Sequence, residues 1–169
     1  MREKGFVRVS LTRILSVKKI IACFTAINPP HLRSRIESHN FWELVYLRHG
    51  RVEYQDGDKV GVLLPGEAVL HAPNVKHGIF GDGKHHWDFF VISFECDSPA
   101  MAALESQRIR LSPQLQALIE AIIAERDETF VRVQGWSNPL RPQEGAPVGG
   151  RQMIAVYLEQ LLISLIREM

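Results

Sequence analysis

The sequence predicts a mainly β domain of the barrel or jelly-roll type, followed by C-terminal α-helices. Short apolar segments recur between residues 17 and 95, and glycine, proline, Asn and Asp residues separate them. Many short strands at close spacing with such turns are typical of all-β barrels and jelly rolls. After Asp97 the apolar residues recur at helical spacing instead. A chain of 169 residues has the size of one domain with a buried core.

The predicted strands follow one another along this first part of the chain. Residues 17–27 are rich in Ile, Phe and Thr, which favour strands, and the run Asn28-Pro29-Pro30 ends the segment. Further apolar or alternating segments predict strands at 41–48, 51–55, 60–64, 68–72, 79–80 and 87–95. Asp56-Gly57 predicts a hairpin turn, because tight hairpins need positive φ. Pro65-Gly66 fits the centre of a type II turn.

Two helices are predicted near the C-terminus. Ser112 can cap the first helix and Pro113 suits its first position. Residues 134–150 contain several glycines and prolines and show no periodicity, so we predict a loop that is mobile or acts as a lid. Residues 151–168 return to helical spacing, with an apolar stripe wider than one core-facing side requires. Deep burial, or packing on a second copy of the chain, would explain that stripe.

Composition narrows the class of protein. The chain is 46% hydrophobic and 23% charged, as is ordinary for globular domains. Its net charge of +1 gives no overall electrostatic footprint for nucleic acid, although basic residues cluster in an N-terminal arm at 1–16. No segment has the pattern of a signal peptide or a membrane span. Cys23 and Cys96 lie in separate apolar segments, which favours buried free thiols and a cytoplasmic location.

Two carboxylates and two imidazoles form the most informative group of residues. Glu37, His39 and Glu43 lie at or just before a predicted strand, and alternate residues of a strand share a face. His77 follows the Pro73-Asn74 turn, which we expect to bring it onto an adjacent strand. Such a set can hold a divalent ion (Zn, Ni, Fe or Mn) or a polar ligand. The alternative is that Glu37 and His39 are solvated and Glu43 is a paired, buried acid.

Three aromatic residues and the other histidines could belong to the site or could have ordinary structural positions. Trp42, Tyr54 and Trp87 are candidates to face the same pocket, with core packing as the alternative. His85 and His86 are neighbours on an extended segment, so their side chains point apart and we expect surface positions. We expect surface positions also for the remaining histidines, His31, His49 and His71. No phosphate loop, dinucleotide fingerprint or nucleophile-elbow motif is present, which counts against most catalytic classes.

Two motifs resemble those of the cupin family. The spacing His39-x3-Glu43-x6-Gly50 resembles the second half of the first cupin motif, and Gly66 to His77 resembles the second motif. Glu37 stands where the family usually has a His. The segments 39–47, 72–77, 91–96 and 157–167 are similar to the effector-binding half of AraC-type transcription regulators, so the resemblance covers residues 17–167. It implies a cupin-type double-stranded β-helix (jelly-roll) barrel at 17–97 and a helical dimerisation region at 98–169.

The resemblance also implies a sensing function. The chain would be the effector-sensing and dimerisation domain of an AraC-type regulator, forming a homodimer through the helix at 151–168. DNA would be bound only through a C-terminal helix-turn-helix domain absent from this sequence. The N-terminal arm would fold over the pocket or contact that DNA-binding half. The competing class is a stand-alone metal-dependent cupin enzyme (dioxygenase, isomerase or decarboxylase), and a third class is a purely structural dimerisation module.

The same resemblance assigns roles to the candidate site. His39, Glu43 and His77 match the cupin positions, so they are the expected ion ligands, with Glu37 as the fourth. Without an ion, these residues would hydrogen-bond a small polar, sugar-like effector directly.

Overall fold

The computed structural model describes residues 6–133 and 139–169. Within these ranges the strands are β1 (Lys19–Asn28), β2 (Trp42–His49), β3 (Val52–Asp56), β4 (Lys59–Leu63), β5 (Glu67–His71), β6 (His77–Gly81), β7 (Trp87–Glu95) and β8 (Arg108–Arg110). A 3-10 helix (Pro99–Leu104) lies between β7 and β8, and the α-helices are α1 (Pro113–Thr129) and α2 (Gly150–Glu168).

The strands form two antiparallel sheets that share a core. The larger sheet has five strands in the order β1-β7-β2-β5-β8, and the smaller has three in the order β4-β3-β6. Apolar side chains from both sheets pack together between them, among them Phe24, Val45, Val52 and Ile79. The predicted mainly β fold with C-terminal helices is therefore confirmed. The strands form two separate hydrogen-bonded sheets rather than one closed barrel.

Side-chain alternation gives the larger sheet two buried faces. In β2, Val45 and Leu47 pack between the sheets, whereas Leu44 and Tyr46 pack on the opposite face, in the core that the helices cover. A strand buried on both faces is nearly continuously apolar. Buried polar residues are therefore unusual in this sheet. They include Glu43, His71 and Ser93.

The two helices cover the outer face of the larger sheet. Ser112 Oγ accepts a hydrogen bond from the Leu115 N–H at 3.4 Å and Pro113 occupies the first turn, so α1 begins as predicted. The helices approach closely where α1 ends and α2 begins, since a Cβ on Gly150 would lie 2.1 Å from Thr129 Oγ1. The inner face of α2 is buried through Ile154, Leu158, Leu161, Leu162 and Leu165.

The region at 98–169 contains more than the predicted helices and loop. β8 was not predicted, because three residues give too little alternation to detect, and it pairs with β5 at the edge of the larger sheet. Of the predicted loop at 134–150, residues 134–138 lie outside the described residues. Residues 141–143 pair back onto 129–131, for example through the Val131 N–H and Arg141 O at 2.8 Å. This part of the loop is therefore attached to the end of α1.

The N-terminal arm is described from residue 6 onward. Its apolar side chains are exposed as far as Ile14, and Leu15 is the first to enter the core. Cys23 and Cys96 are buried free thiols, as predicted. Neither helix of the described chain is long and apolar enough to cross a membrane.

Candidate metal and effector site

His39, Glu43 and His77 converge between the sheets, and we call them the triad. Glu43 lies in β2 of the larger sheet, His77 begins β6 of the smaller sheet, and His39 precedes β2. Each offers one ligand atom, and these atoms lie within 4.8 Å of one another. Glu43 Oε2 is 3.6 Å from His39 Nε2, and Glu43 Oε1 is 3.7 Å from His77 Nε2. Two imidazoles and a carboxylate at this spacing are a possible divalent-ion site.

Backbone carbonyls fix both imidazoles of the triad. His39 Nδ1 lies 3.0 Å from Phe41 O, and His77 Nδ1 lies 2.9 Å from Val75 O, so each Nδ1–H donates to a carbonyl. Both Nε2 atoms are buried and have no hydrogen-bond partner among the described residues. An outer acceptor on one ring nitrogen and a free second nitrogen are typical of histidines that bind metals. The residues present therefore fit an ion.

The carboxylate of Glu43 is buried and held as an anion. Ser93 Oγ, on the neighbouring β7, donates a hydrogen bond to Glu43 Oε2 at 3.0 Å. Burial raises the pKa of Glu43, but the imidazoles of His39 and His77 outweigh burial and leave the pKa below its ordinary value. An ionised carboxylate beside two imidazole nitrogens suits a cation.

The two histidine pKa values shift in opposite directions. Burial lowers the pKa of His39, but the nearby Glu43 carboxylate acts the other way and leaves it raised. Burial, assisted by neighbouring His71, leaves the pKa of His77 lowered. At neutral pH His77 is therefore the neutral imidazole, with an electron pair available on Nε2.

Glu37 reaches the site by a backbone bridge to His77, and not by sharing a strand face with Glu43. β2 begins at Trp42, so the face shared by strand neighbours does not extend back to Glu37 and His39. Instead the Glu37 N–H donates to His77 O at 3.0 Å, and the His77 N–H donates to Glu37 O at 2.9 Å. Burial first, and the charge of Glu43 second, raise the pKa of the Glu37 carboxyl. The predicted adjacent strand for His77 is in fact a strand of the opposite sheet.

A cavity of about 250 Å³ opens beside the triad. Glu37, Glu43 and His77 line it together with an apolar wall made of Phe24, Ala26, Leu32, Val45, Ile79, Trp87, Phe89 and Val91. Asn28, Arg33 and Ser34 add polar groups from the segment that leads into the site. The Trp87 indole N–H donates to Pro29 O at 3.1 Å, so its polar atom is already bonded. The cavity therefore combines an apolar wall with an acidic and imidazole cluster.

Two predicted pocket aromatics lie elsewhere. Trp42 directly precedes Glu43, so strand alternation turns it to the opposite face, where its indole N–H donates to Cys96 O at 2.9 Å. Tyr54 packs against the core between the sheets, with its ring over Gly61, and it is absent from the described lining of the cavity. Of the three predicted aromatics, Trp87 lines the cavity.

His71 and Asp56 are part of the site, and the sequence interpretation missed both. His71 was expected at the surface, but its side chain is fully buried and its ring stacks on that of His77 with centroids 4.3 Å apart. Asp56, expected only as a turn residue, is buried and lies 2.7 Å from His71 Nδ1. The available signal was alternation in β5, because His71 has the parity of the core residue Val69.

The fold and the site together define a ligand-binding domain of the β class, with a cavity between two antiparallel sheets. Sequence comparison makes this assignment specific. Residues 19–163 match the family described as AraC-like ligand binding domain, and the chain belongs to this family. A comparison with curated proteins finds no match.

Several solved structures are similar to this chain at low identity. A cupin 2 domain-containing protein from Halorhodospira halophila is 23% identical, with 67% of this chain and 70% of that chain covered and a TM-score of 0.39. The cupin domain of an XRE family transcriptional regulator from Enterobacter cloacae is 17% identical, with 49% and 98% covered and a TM-score of 0.39. A predicted oxalate decarboxylase from Thermotoga maritima is 18% identical, with 43% and 66% covered and a TM-score of 0.41. The family assignment rests on the sequence match over residues 19–163.

Proposed function

We propose that this chain is the effector-sensing and dimerisation domain of an AraC-type transcription regulator. The observation that carries the proposal is the cavity between the sheets, which joins an apolar wall to a buried acidic and imidazole cluster. A structural module would need no such cluster, because buried polar groups without partners cost free energy. In this proposal the protein works in the cytoplasm, and DNA is bound through a separate helix-turn-helix domain.

The triad is the proposed ion site, with Glu37 as a fourth ligand. Zn, Ni, Fe and Mn all accept imidazole and carboxylate ligands. The two buried Nε2 atoms and the anionic Glu43 support this role. If no ion binds, the same residues hydrogen-bond the effector directly.

The proposed effector is a small polar molecule, of the size of a sugar, with one apolar face. The cavity is smaller than the roughly 300–1,000 Å³ of pockets for drug-sized ligands. Trp87 would stack on the apolar face, since its indole N–H is already bonded to Pro29 O. The polar groups of the effector would then meet Glu37, Glu43 and His77.

A calorimetric screen with and without added Zn²⁺ tests the effector proposal. The screen compares monosaccharides with small aromatic acids and amines, and every hit is repeated on Glu43→Gln and on Glu53→Gln. Glu53 is exposed on β3 and serves as the matched control. We expect a hit to lose at least about tenfold in affinity in Glu43→Gln, the size of one hydrogen bond to a charged group, and to keep it in Glu53→Gln. A hit that binds all three proteins equally lies outside this cavity.

Limited proteolysis then tests sensing. A ligand changes a protein only through different affinities for two states, so a bound effector should alter cleavage of the N-terminal arm. Identical cleavage patterns with a ligand proven to bind would contradict a sensing role for the arm at 1–16.

Dimerisation is proposed through the helix at 151–168. Val156 is 44% exposed on the outward side of α2, while the inner side packs on the sheet. We expect Val156→Glu to convert a dimer to a monomer in light scattering, because a buried charge opposes association. Val60→Glu on β4, at another exposed valine, is the control. If the Val156→Glu variant remains a dimer, the dimer interface lies on another part of the surface.

A stand-alone metal-dependent cupin enzyme, such as a dioxygenase, isomerase or decarboxylase, is the second candidate. It is favoured by one feature, since three protein ligands leave coordination positions open for a substrate. Elemental analysis of protein purified without added metal, followed by turnover assays, separates the candidates. A stoichiometric redox metal together with turnover would favour the enzyme, and effector binding without turnover would favour the regulator.

A further inference from the structure

A buried Asp–His pair joins the two sheets next to the triad. Asp56 ends β3 of the smaller sheet and His71 ends β5 of the larger sheet, and Asp56 Oδ1 lies 2.7 Å from His71 Nδ1. The two side chains are only 1% and 0% exposed. This hydrogen bond therefore crosses between the sheets in the interior of the domain.

Strand register places this pair beside the triad residues. Asp56 is the cross-strand partner of His77 in the smaller sheet, and His71 is the partner of Glu43 in the larger sheet. Two contacts between the sheets thus stand side by side. The Asp56–His71 contact is a hydrogen bond, whereas His77 Nε2 and Glu43 Oε1 are 3.7 Å apart, which is too far for one. The hydrogen bond joins β3 to β5, and the wider contact joins β6 to β2, the strands that pair with β3 and β5.

His71 also limits the movement of His77. The two rings are nearly parallel, with an interplanar angle of 13° and centroids 4.3 Å apart. The His39 ring meets His77 edge-on at 4.7 Å. With its Nδ1 bonded to Val75 O, the His77 ring is held on several sides.

Stability does not explain the pair. Taking two ionisable groups out of water is costly, and apolar residues of similar volume are often as stable or more so. Support of the proposed ion ligands does explain the buried pair. A binding site needs neighbouring groups that hold its ligand atoms within about 0.5 Å of the positions required for binding.

We propose that Asp56 and His71 are positioning residues that set the separation of the two sheets at the triad, and thereby the affinity of the triad for a divalent ion. This inference rests on the proposed ion site at His39, Glu43 and His77. Outer partners of metal ligands typically change ion affinity by about 10–100-fold. Asp56 and His71 would act through the spacing of Glu43 and His77, without binding the ion themselves.

Zn²⁺ titration calorimetry on a set of variants tests the proposal. His71→Phe keeps a ring against His77 but removes the hydrogen bond, and we expect its Zn²⁺ affinity to fall about 10–100-fold. Asp56→Asn keeps an oxygen acceptor for His71 and should restore most of the affinity that Asp56→Ala loses. The matched controls are His49→Phe and Asp58→Asn, which alter exposed residues and should bind as the wild type does.

A double variant separates positioning from folding. Asp56→Leu with His71→Phe replaces both partners by apolar groups, which is often neutral for stability, so we expect a folded domain with weak Zn²⁺ binding. Wild-type affinity in this variant overturns the proposal. Failure of the double variant to fold overturns it as well, because the pair would then hold the fold. Absence of Zn²⁺ binding by the wild type itself overturns the ion site and this inference together.

Discussion

Replacing Glu43 by Gln should remove the thermal stabilisation that a divalent ion would give at the proposed site. Glu43 is the carboxylate of the triad and lies between the two imidazoles. Gln has nearly the same shape and can still accept the Ser93 hydrogen bond, so the fold should persist. The lost element is the negative charge, which is what a cation needs at this position.

The distances in the triad set the expected size of the effect. Ligands about 2.1 Å from a tetrahedral ion lie about 3.4 Å from one another. The observed separations of 3.6 Å (His39 Nε2 to Glu43 Oε2) and 3.7 Å (His77 Nε2 to Glu43 Oε1) are within a few tenths of an ångström of that value, but they involve different oxygens of Glu43. With one atom from each residue, the three ligand atoms lie within 4.8 Å of one another, so an ion would draw them closer together. The cost of that movement is included in the Kd of the ion. At a free ion concentration of 100 times Kd, the stabilisation of the native state is about 2.7 kcal/mol.

Differential scanning calorimetry checks the prediction. A domain of this length shifts its Tm by about 2–4 °C for each kcal/mol, so the wild type should gain about 5–11 °C with Zn²⁺, Ni²⁺ or Mn²⁺. Glu43→Gln should gain almost nothing, and Glu53→Gln should behave as the wild type. An equal gain in Glu43→Gln would refute the reasoning, because the ion would then be bound outside the triad.

Three further outcomes are expected. Zn²⁺ affinity should fall as the pH is lowered through 6.5, and the fall should begin above that value, because the raised pKa of His39 lets a proton compete with the ion there; an affinity that does not change with pH in calorimetry would contradict this. Burial raises the pKa of the Cys23 thiol to about 12, and the Cys96 side chain is also buried. Neither thiol should therefore react with a chromogenic disulfide reagent until the protein is denatured, and rapid labelling of the native protein would count against their burial. Leu158→Ala should lower the free energy of unfolding in urea by about 2–5 kcal/mol, whereas Val60→Ala, at an exposed valine outside the proposed interface, should change it by less than about 0.5 kcal/mol; similar losses in both would contradict the burial of Leu158.

The strands and helices were predictable because local signals agree with the fold. Asp56-Gly57 and Pro65-Gly66 mark the turns on either side of β4, and Ser112-Pro113 marks the start of α1 within one residue. β8 escaped prediction because it is stabilised by pairing with β5 rather than by its own pattern. Division of the strands into two sheets also depends on long-range pairing, which no local segment encodes.

The site was only partly predictable, for reasons that differ from residue to residue. Alternation alone excludes Trp42 from the face of Glu43, so that error was avoidable. Alternation also places His71 with Val69 on the inner face of β5. The bond between His71 and Asp56 was beyond sequence reasoning, because its partners come from different sheets and meet only once both registers are fixed.

The chemistry of the cluster restricts what can occupy the cavity. Glu43 is an anion, the unpartnered His77 Nε2 can accept a hydrogen bond, and Glu37 brings a second carboxyl whose pKa is raised by burial and by the charge of Glu43. These groups can bind a cation, or they can accept a hydrogen bond from a donor group of the effector. An anionic effector would be repelled by Glu43 unless a cation were bound first. If acidic ligands bind only in the presence of Zn²⁺, the ion is part of the sensor; if neutral or cationic ligands bind without it, the carboxylates recognise the effector themselves.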